Sequence, residues 1–364
     1  MYYFFCSYLI QKKLNGAFAK QIKNLIVKKI NRILIGIALC LCLSNSLLIS
    51  CESDSKDEIE VVTEEPEIVP EEKELVTVSV DEDIQTALDK VSTDGGGIVQ
   101  LTAGVHNITT PLEINSNVTL QGEGKLASTI KTENDINMII QAAEGMKNIT
   151  IKNLILIGSQ TKHAGGIQIV SMHTDNDSIN IIGVNVFETG WGVHIKGAKN
   201  LIIDSCNFSR NGNPESVGYA HNLYLRRVYT AHVTNSIFDN SISANGINIS
   251  YSRDINIINC EAIGNKFRGM RAADTDGFLV RNCTIANNED VGLYANTEKV
   301  VTKNIYWDSN DVYNNGKDGI SARKGATGDC MNCNSYGNAT DYNLPSTVTQ
   351  SGNISDSSKS KVKK

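Results

Sequence analysis

The chain is organised by short runs in which apolar and polar residues alternate, a pattern typical of β-strands. One set of runs begins at residues 117, 148, 178, 200, 254 and 277. A second set has the form Gly-apolar-X-apolar, as in the run that starts at Gly166, with Asn222 in the place of Gly once. The X residues lie at 168, 194, 224, 248, 271, 294 and 321, so the repeat is 23 to 30 residues long. A period of this size with two or three strands per unit predicts a solenoid.

These repeats predict an all-β fold, a single-stranded parallel β-helix over residues 79–345. A leucine-rich repeat has a similar period, but its Leu-rich consensus and helical segments are absent, and a propeller blade needs about 40 residues. A short amphipathic helix is expected before the first coil, because Ile84, Ala87, Leu88 and Val91 fall at helical spacing. This helix would cap the open sheet edge of the first coil.

Two stacks of side chains are expected within the coils. An Asn recurs in the turn before the second run, which predicts an Asn ladder of Asn240, Asn265, Asn288 and Asn315. Cys206, Cys260 and Cys283 share one place in their coils and predict an inward stack, with disulfides as the alternative. Cys330 and Cys333 are expected to form a disulfide or to pack in a late coil.

The first 50 residues predict a targeting segment rather than part of the fold. Seven Lys or Arg precede an apolar run at 33–43, and a small residue precedes Cys51. These features resemble a bacterial lipoprotein signal peptide. The resemblance implies lipidation of Cys51 and an outer-membrane lipoprotein, exposed at the cell surface or facing the periplasm. A transmembrane anchor is the alternative, but the apolar run is short for a span of about 20 residues.

Residues 51–78 are expected to form an acidic, disordered tether, and residues 346–364 a disordered tail, because neither can bury much apolar surface. Without the leader the chain holds 27 basic and 40 acidic residues, and residues 52–75 hold 2 basic and 11 acidic ones. The body is therefore only mildly acidic. Nucleic acid is not expected as a partner, because it requires a basic face.

The register of the second runs predicts one functional wall. Their apolar residues must fill the coil, so the X residues point outward and stack about 4.8 Å apart. The expected catalytic residues are His194, His221, Tyr224, Asn248 and Arg271. The expected substrate-binding residues are Trp191, Lys196, Arg226, Asn245, Arg268, Tyr294 and Arg323. Longer segments at 158–164, 171–177 and 210–218 are expected to wall a groove.

Over roughly residues 79–345, the repeat and this wall resemble the right-handed parallel β-helix polysaccharide lyases and uronan epimerases, including alginate-active members. The resemblance implies a right-handed coil and an acidic, uronate-containing polysaccharide as the partner. The protein is expected to be a monomer. The Asp-Pro-His run of the epimerases is absent, and the central columns hold no carboxylate cluster for calcium. Neither a metal nor another cofactor is therefore expected.

Cleavage of a uronan by β-elimination requires three roles: neutralisation of the carboxylate, a base for the C5 proton, and an acid for the leaving oxygen. Asn248 with Arg271 or Arg268 is expected to neutralise the carboxylate, since Arg binds carboxylates with two parallel hydrogen bonds. His194 or His221 is the candidate base because imidazole titrates near neutrality. Tyr224 is expected to act as the acid or as the base.

Other functions remain open at this point. A C5-epimerase removes the same proton with similar residues, and a non-catalytic glycan-binding lipoprotein needs the aromatic and basic residues without a base. A glycoside hydrolase ranks third, because it needs facing carboxylates and the columns offer only Asp318. Arg268 also has a structural interpretation, an ion pair with Asp274 or Asp276.

Overall fold

A computed structural model describes residues 73–124, 126–159 and 164–360. These residues wind into an all-β, right-handed parallel solenoid of about 11 turns, which confirms the predicted fold class. The predicted leader, Cys51 and most of the tether lie outside the described residues. Within the part of the chain that is described, no helix is both long and apolar enough to cross a membrane.

The strands stack into three faces. The first face contains β1 (Leu75–Val78), β2 (Gly97–Leu101), β5 (Val118–Gly122), β8 (Lys147–Lys152), β11 (Asn176–Ile182), β17 (Arg253–Ile258), β20 (Asp276–Arg281), β23 (Lys303–Asp308), β26 (Gly328–Met331) and β29 (Val348–Ser351). The second face contains β4 (Leu112–Glu113), β7 (Met138–Ala142), β10 (Gly165–Val170), β16 (Ile247–Ser250), β19 (Met270–Ala273), β22 (Leu293–Asn296), β25 (Asp318–Ala322) and β28 (Thr340–Asn343). The third face contains β3 (Gly104–Asn107), β6 (Ser128–Lys131), β9 (Leu154–Ile157), β12 (Asn185–Phe187), β14 (Asn207–Ser209), β18 (Glu261–Ile263), β21 (Thr284–Ala286), β24 (Asp311–Tyr313) and β27 (Asn334–Tyr336).

Two long strands join the first and second faces. β13 (Val193–Asp204) and β15 (Leu223–Thr234) begin on the second face and continue into the first. The two halves of each strand pair with different neighbours, and one residue of positive φ separates them, Gly197 at 66° in β13 and Arg227 at 52° in β15. The Gly-led runs of the sequence, together with the run that begins at Asn222, all lie on the second face. The predicted functional wall is therefore one physical surface.

The predicted capping helix is present as α1 (Ile84–Thr93). Asp83 caps its N-terminus, where its side chain accepts a hydrogen bond from the backbone N–H of Gln85. The apolar residues that defined the helical pattern are all buried against the first coil. The helix therefore covers the sheet edge that the solenoid would otherwise expose.

The coil interior is filled by stacked aliphatic residues, with Phe278 and Trp307 in edge-to-face contact at 6.0 Å. The expected inward cysteine stack is confirmed, since Cys206, Cys260 and Cys283 are buried and form no disulfide. Cys330 and Cys333 are also buried free thiols of a late coil. Burial raises the pKa of the Cys206 thiol to about 12, which makes it unreactive.

The Asn ladder is present, but its first member was predicted wrongly. The ladder begins at Asn211, which donates to the amide oxygen of Asn222 at 3.0 Å. Asn222, not Asn240, donates to the amide oxygen of Asn265 at 3.3 Å, and the ladder continues through Asn288 and Asn315 to Asn338. Asn240 instead adopts a left-handed backbone conformation with φ of 51°. The ladder place in the coil of Asn240 is occupied by Ser241, whose backbone N–H donates to the amide oxygen of Asn265 at 2.9 Å. The side chain of Asn222, from the preceding coil, takes the part of the missing amide.

The solenoid extends past both predicted boundaries. Leu75–Val78, assigned to the tether, forms β1 and pairs in parallel with β2. Val348–Ser351, assigned to the disordered tail, pairs with β26 and is followed by a 3₁₀ helix at Ser357–Lys359. The prediction of disorder from composition was wrong for these two segments, because a strand that pairs with an existing sheet edge needs to bury little apolar surface.

Candidate functional site

The predicted outward column exists with the predicted register. His194 pairs with Tyr224, Tyr224 with Asn248, Asn248 with Arg271, and Arg271 with Tyr294. The column two residues later is also aligned, because Lys196 pairs with Arg226 and Arg226 with Ser250. The side chains of five successive coils therefore meet on one wall.

This wall forms the floor of an open cavity of about 590 Å³. Ten of the twelve predicted site residues border it, namely Trp191, His221, Tyr224, Arg226, Asn245, Asn248, Arg268, Arg271, Tyr294 and Arg323. The remaining two, His194 and Lys196, do not. The cavity is bordered by four arginines and a single carboxylate, that of Glu298, so it is cationic in a protein of net charge −6.

Asn248 and Arg271 form the centre of a hydrogen-bond network. The amide oxygen of Asn248 accepts from Nη1 of Arg271 at 2.9 Å and from Nδ2 of Asn245 at 3.1 Å. The other terminal nitrogen of Arg271 pairs with Glu298, whose side chain is half exposed. Two donors occupy the Asn248 oxygen, so its Nδ2 is the atom left to meet a ligand. Arg271 and Asn248 are thus held as neighbouring donors at the cavity floor.

His194 lies behind the cavity rather than in it. Its ring stacks on Tyr224 at 4.9 Å between ring centroids and contacts Trp191 at 6.1 Å. Burial, and then the charges of Lys196 and Arg226, lower the pKa of His194 to about 4. The ring is therefore neutral at pH 7 and supports the Tyr224 ring.

His221 borders the cavity as a neutral ring of fixed orientation. Its Nδ1 accepts a hydrogen bond from the backbone N–H of Asn245 at 3.2 Å, so the neutral imidazole carries its proton on Nε2. Burial, with the charge of Arg271 second, lowers the pKa of His221 to about 3. In this form His221 is a hydrogen-bond donor, and the hypothesis that it acts as a base loses support.

Tyr224 places a hydroxyl at the cavity surface. Its oxygen lies 3.1 Å from the hydroxyl of Ser250, one coil further on and itself a lining residue. The ring is held between His194 on one side and His221, which contacts it edge-on at 5.4 Å. Both imidazoles therefore position the phenol.

Arg268 pairs with Asp290 rather than with Asp274 or Asp276, the partners considered from the sequence. Its Nη2 lies 2.9 Å from the Asp290 carboxylate, and its guanidinium stacks over Tyr294 at 5.3 Å. Asp274 instead accepts hydrogen bonds from the backbone N–H groups of residues 298, 299 and 300. It thereby fixes the segment that carries Glu298.

Several lining residues were missed by the sequence analysis: Val217, Tyr219, Ser250, Tyr251, Phe267, Asn296 and Glu298. Tyr219 is 71% exposed at the rim, on the lengthened segment that was expected to wall a groove. That expectation holds for residues 217–219, whereas residues 171–177 do not border the cavity and residues 160–163 lie outside the described chain. The length of its loop could have predicted Tyr219 as a lining residue. No feature of the sequence indicated that Glu298 would reach the cavity.

Among residues 73–124, 126–159 and 164–360, no group of three or more His, Cys, Asp or Glu side chains is placed to hold a metal ion.

The chain belongs to the family described as Right handed beta helix region, which matches residues 140–339. Solved structures of the same fold include pectate lyase Pel9A, with 14% identity and a TM-score of 0.51 over 79% of each chain. The Dettilon tailspike protein (gp208) has 12% identity and a TM-score of 0.55 over 76% of this chain and 61% of its own. The mannuronan C-5 epimerase AlgE6 A-module of Azotobacter vinelandii has 16% identity and a TM-score of 0.38 over 75% of this chain and 94% of its own. No curated protein matches. At these identities the likeness to the pectate lyase and to the tailspike protein, both with TM-scores above 0.5, shows the fold alone.

Proposed function

We propose that this protein is a polysaccharide lyase that cleaves a uronate-containing polysaccharide, such as alginate, by metal-independent β-elimination. The observation that carries the proposal is the pairing of Arg271 with Asn248 on the floor of a cationic cavity, next to the hydroxyl of Tyr224. The name of pectate lyase Pel9A describes an enzyme that acts on such a polymer, and this chain shares its fold. That likeness supports the substrate class.

Neutralisation of the uronate carboxylate falls to Arg271 and Asn248. The guanidinium and the amide Nδ2 are donors on adjacent coils, about 4.8 Å apart along the solenoid. Hydrogen bonds and charge at the carboxylate stabilise the negative charge that develops when the C5 proton leaves. His221, neutral and with its proton on Nε2, adds a third donor on the same floor.

Proton transfer falls to Tyr224. The proposed step requires the deprotonated oxygen of Tyr224, which accepts the C5 proton while the electron pair of that bond forms the C4–C5 double bond and the C4–O bond breaks. The resulting phenol then donates the proton to the leaving glycosidic oxygen, so protons and electrons balance without an oxidant or a reductant. Ser250, 3.1 Å away, fixes the position of the hydroxyl. Two observations support Tyr224 rather than a histidine as the base: His194 does not border the cavity, and His221 is oriented as a donor.

A panel of uronans and neutral polysaccharides tests the proposal. We expect at least one uronan to yield products with the ultraviolet absorbance of a conjugated unsaturated sugar. A change in the polymer's proton spectrum without absorbance would instead identify an epimerase. New reducing ends without absorbance would identify a hydrolase. Binding without any change in the polymer would identify a non-catalytic glycan-binding protein.

We also propose that lipidation of Cys51 anchors the protein to the outer membrane. The proposal rests on the basic and apolar leader that precedes this cysteine. Cells that express the full chain and are labelled with a fatty acid should yield a labelled protein in the membrane fraction. Cys51→Ala should lose the label, and Cys206→Ala, a change at a buried cysteine of the solenoid, should keep it. An unlabelled wild-type protein would contradict the anchor.

A further inference from the structure

A second cavity of about 340 Å³ adjoins the first, further along the solenoid toward the C-terminus. We propose that it is a distal subsite for the anionic group of another sugar on the same polymer chain. The inference rests on the proposed function for its polymer and deepens it: the substrate would have to carry negative charge on sugars beyond the one at Arg271.

The two cavities share part of their lining. Arg268, Tyr294 and Arg323 border both. The Tyr294 ring contacts both guanidinium groups, with its centroid 5.3 Å from Cζ of Arg268 and 5.9 Å from Cζ of Arg323. Its hydroxyl donates to Asn296 at 3.1 Å. This cation–aromatic stack forms a continuous floor from one cavity to the next.

The charges of the second cavity are only partly compensated. The buried Asp290 carboxylate pairs with Arg268 through one oxygen and with Lys317 through the other, each at 2.9 Å. Arg323 and Lys324 border the cavity, are exposed, and form no ion pair with any described residue. Asp318, the other carboxylate of this cavity, accepts a hydrogen bond from Asn343 at 2.8 Å. Four cationic side chains therefore face two carboxylates, and this excess of positive charge suits an anionic ligand group.

The spacing of the coils suits a polymer that lies along the solenoid axis. Arg271 pairs with Tyr294, and Tyr294 pairs with Ser321, which borders the second cavity. Two coil steps therefore separate Arg271 from Ser321 by roughly 10 Å. A single monosaccharide carboxylate cannot reach both sets of cations, whereas one extended chain of charged sugars can.

Binding measured by calorimetry at low salt tests the subsite, with a uronan octasaccharide, a uronan disaccharide and a neutral octasaccharide as probes. Lys324→Glu should weaken octasaccharide binding by about five- to tenfold, since it reverses one unpaired charge. Disaccharide binding should change by less than about twofold, because a disaccharide is too short to extend from Arg271 into the second cavity. Lys199→Glu is the matched control, because Lys199 is exposed and borders neither cavity.

The outcomes separate the subsite from the lyase. Equal affinity of wild type and Lys324→Glu for the uronan octasaccharide, or an equal loss for the neutral one, overturns the subsite even if the lyase is active. A length-dependent loss in Lys324→Glu supports the subsite. If that loss occurs in a protein that yields no unsaturated product from any uronan, the subsite stands and the lyase proposal is wrong.

Discussion

Nη1 of Arg271 donates a hydrogen bond of 2.9 Å to the amide oxygen of Asn248, its register partner on the preceding coil. The bond fixes the guanidinium and orients the Asn248 amide, so that two donors are positioned before any ligand arrives. Preorganised donors stabilise developing negative charge without reorganisation at the moment of reaction. This pair therefore sets the place where a uronate carboxylate is expected to bind.

Arg271→Ala should lower kcat/KM on a uronan by at least about 100-fold, the typical cost of removing one donor to a developing negative charge. Arg271→Lys should recover only part of the loss, because an ammonium lacks the planar fork of a guanidinium. The matched control is Arg253→Ala, at an exposed arginine of the first face. Full activity of a correctly folded Arg271→Ala protein would show that Arg271 does not bind the substrate carboxylate.

Glu298→Gln should lower KM for the uronan several-fold with little change in kcat. The Glu298 carboxylate pairs with Arg271 at the cavity and is half exposed, so it competes with a substrate carboxylate for the same guanidinium. Steady-state kinetics of the variant and the wild type measure the effect. A raised KM would show instead that Glu298 positions Arg271 for substrate.

Stability should depend on pH through His221. Burial lowers its folded pKa to about 3, below the unfolded value near 6.5. The unfolded chain therefore binds the proton first, so this contribution is complete above about pH 6.5 and is lost as the pH falls toward 3. His221→Asn keeps an acceptor for the Asn245 N–H and should flatten the wild-type slope by up to about 1.4 kcal/mol per pH unit.

Urea denaturation of both proteins at several pH values measures this difference in slope. Asp239, whose pKa burial raises to about 6, contributes with the opposite sign but is present in both proteins and cancels. Parallel stability curves for wild type and His221→Asn would contradict a buried, neutral His221.

The Asn ladder should contribute measurably to stability. The Asn288 side chain accepts from the backbone N–H of Asn265 and donates to the carbonyl of Ala262 and to Asn315. Asn288→Ala should lower the free energy of unfolding by about 3 kcal/mol, since it leaves buried polar groups unsatisfied. Asn256→Ala, at a half-exposed outward position of β17, should cost little. Similar losses in both would refute the ladder's role.

The fold and the register of the site were predictable because both follow from strand periodicity. Once the apolar residues of each Gly-led run fill the coil, residues 194, 224, 248 and 271 must share a column, and they do. The roles of individual side chains were not predictable in this way. Ring contacts and a backbone hydrogen bond decide how His194 and His221 are placed, and these depend on the packing of neighbouring coils.

The side chains that loops and turns bring to the site could not be predicted from the sequence either. Glu298 reaches the cavity because Asp274, on an earlier coil, binds the backbone of its segment. Arg268 meets Asp290 because the turn after Asn288 brings that carboxylate under it. Neither contact follows from an alternating pattern, since turn residues have no fixed parity.

The most direct test of the central claim compares wild type with Tyr224→Phe on a polyuronate by ultraviolet absorbance. General acid–base catalysis contributes about 10²–10⁴-fold, so the wild type should generate unsaturated product and the variant should lose at least a hundredfold in kcat while its melting temperature is retained. Tyr229→Phe, at an exposed tyrosine of the same strand, should keep full activity. Undiminished product formation by Tyr224→Phe would contradict the assignment of this cavity as the site of β-elimination.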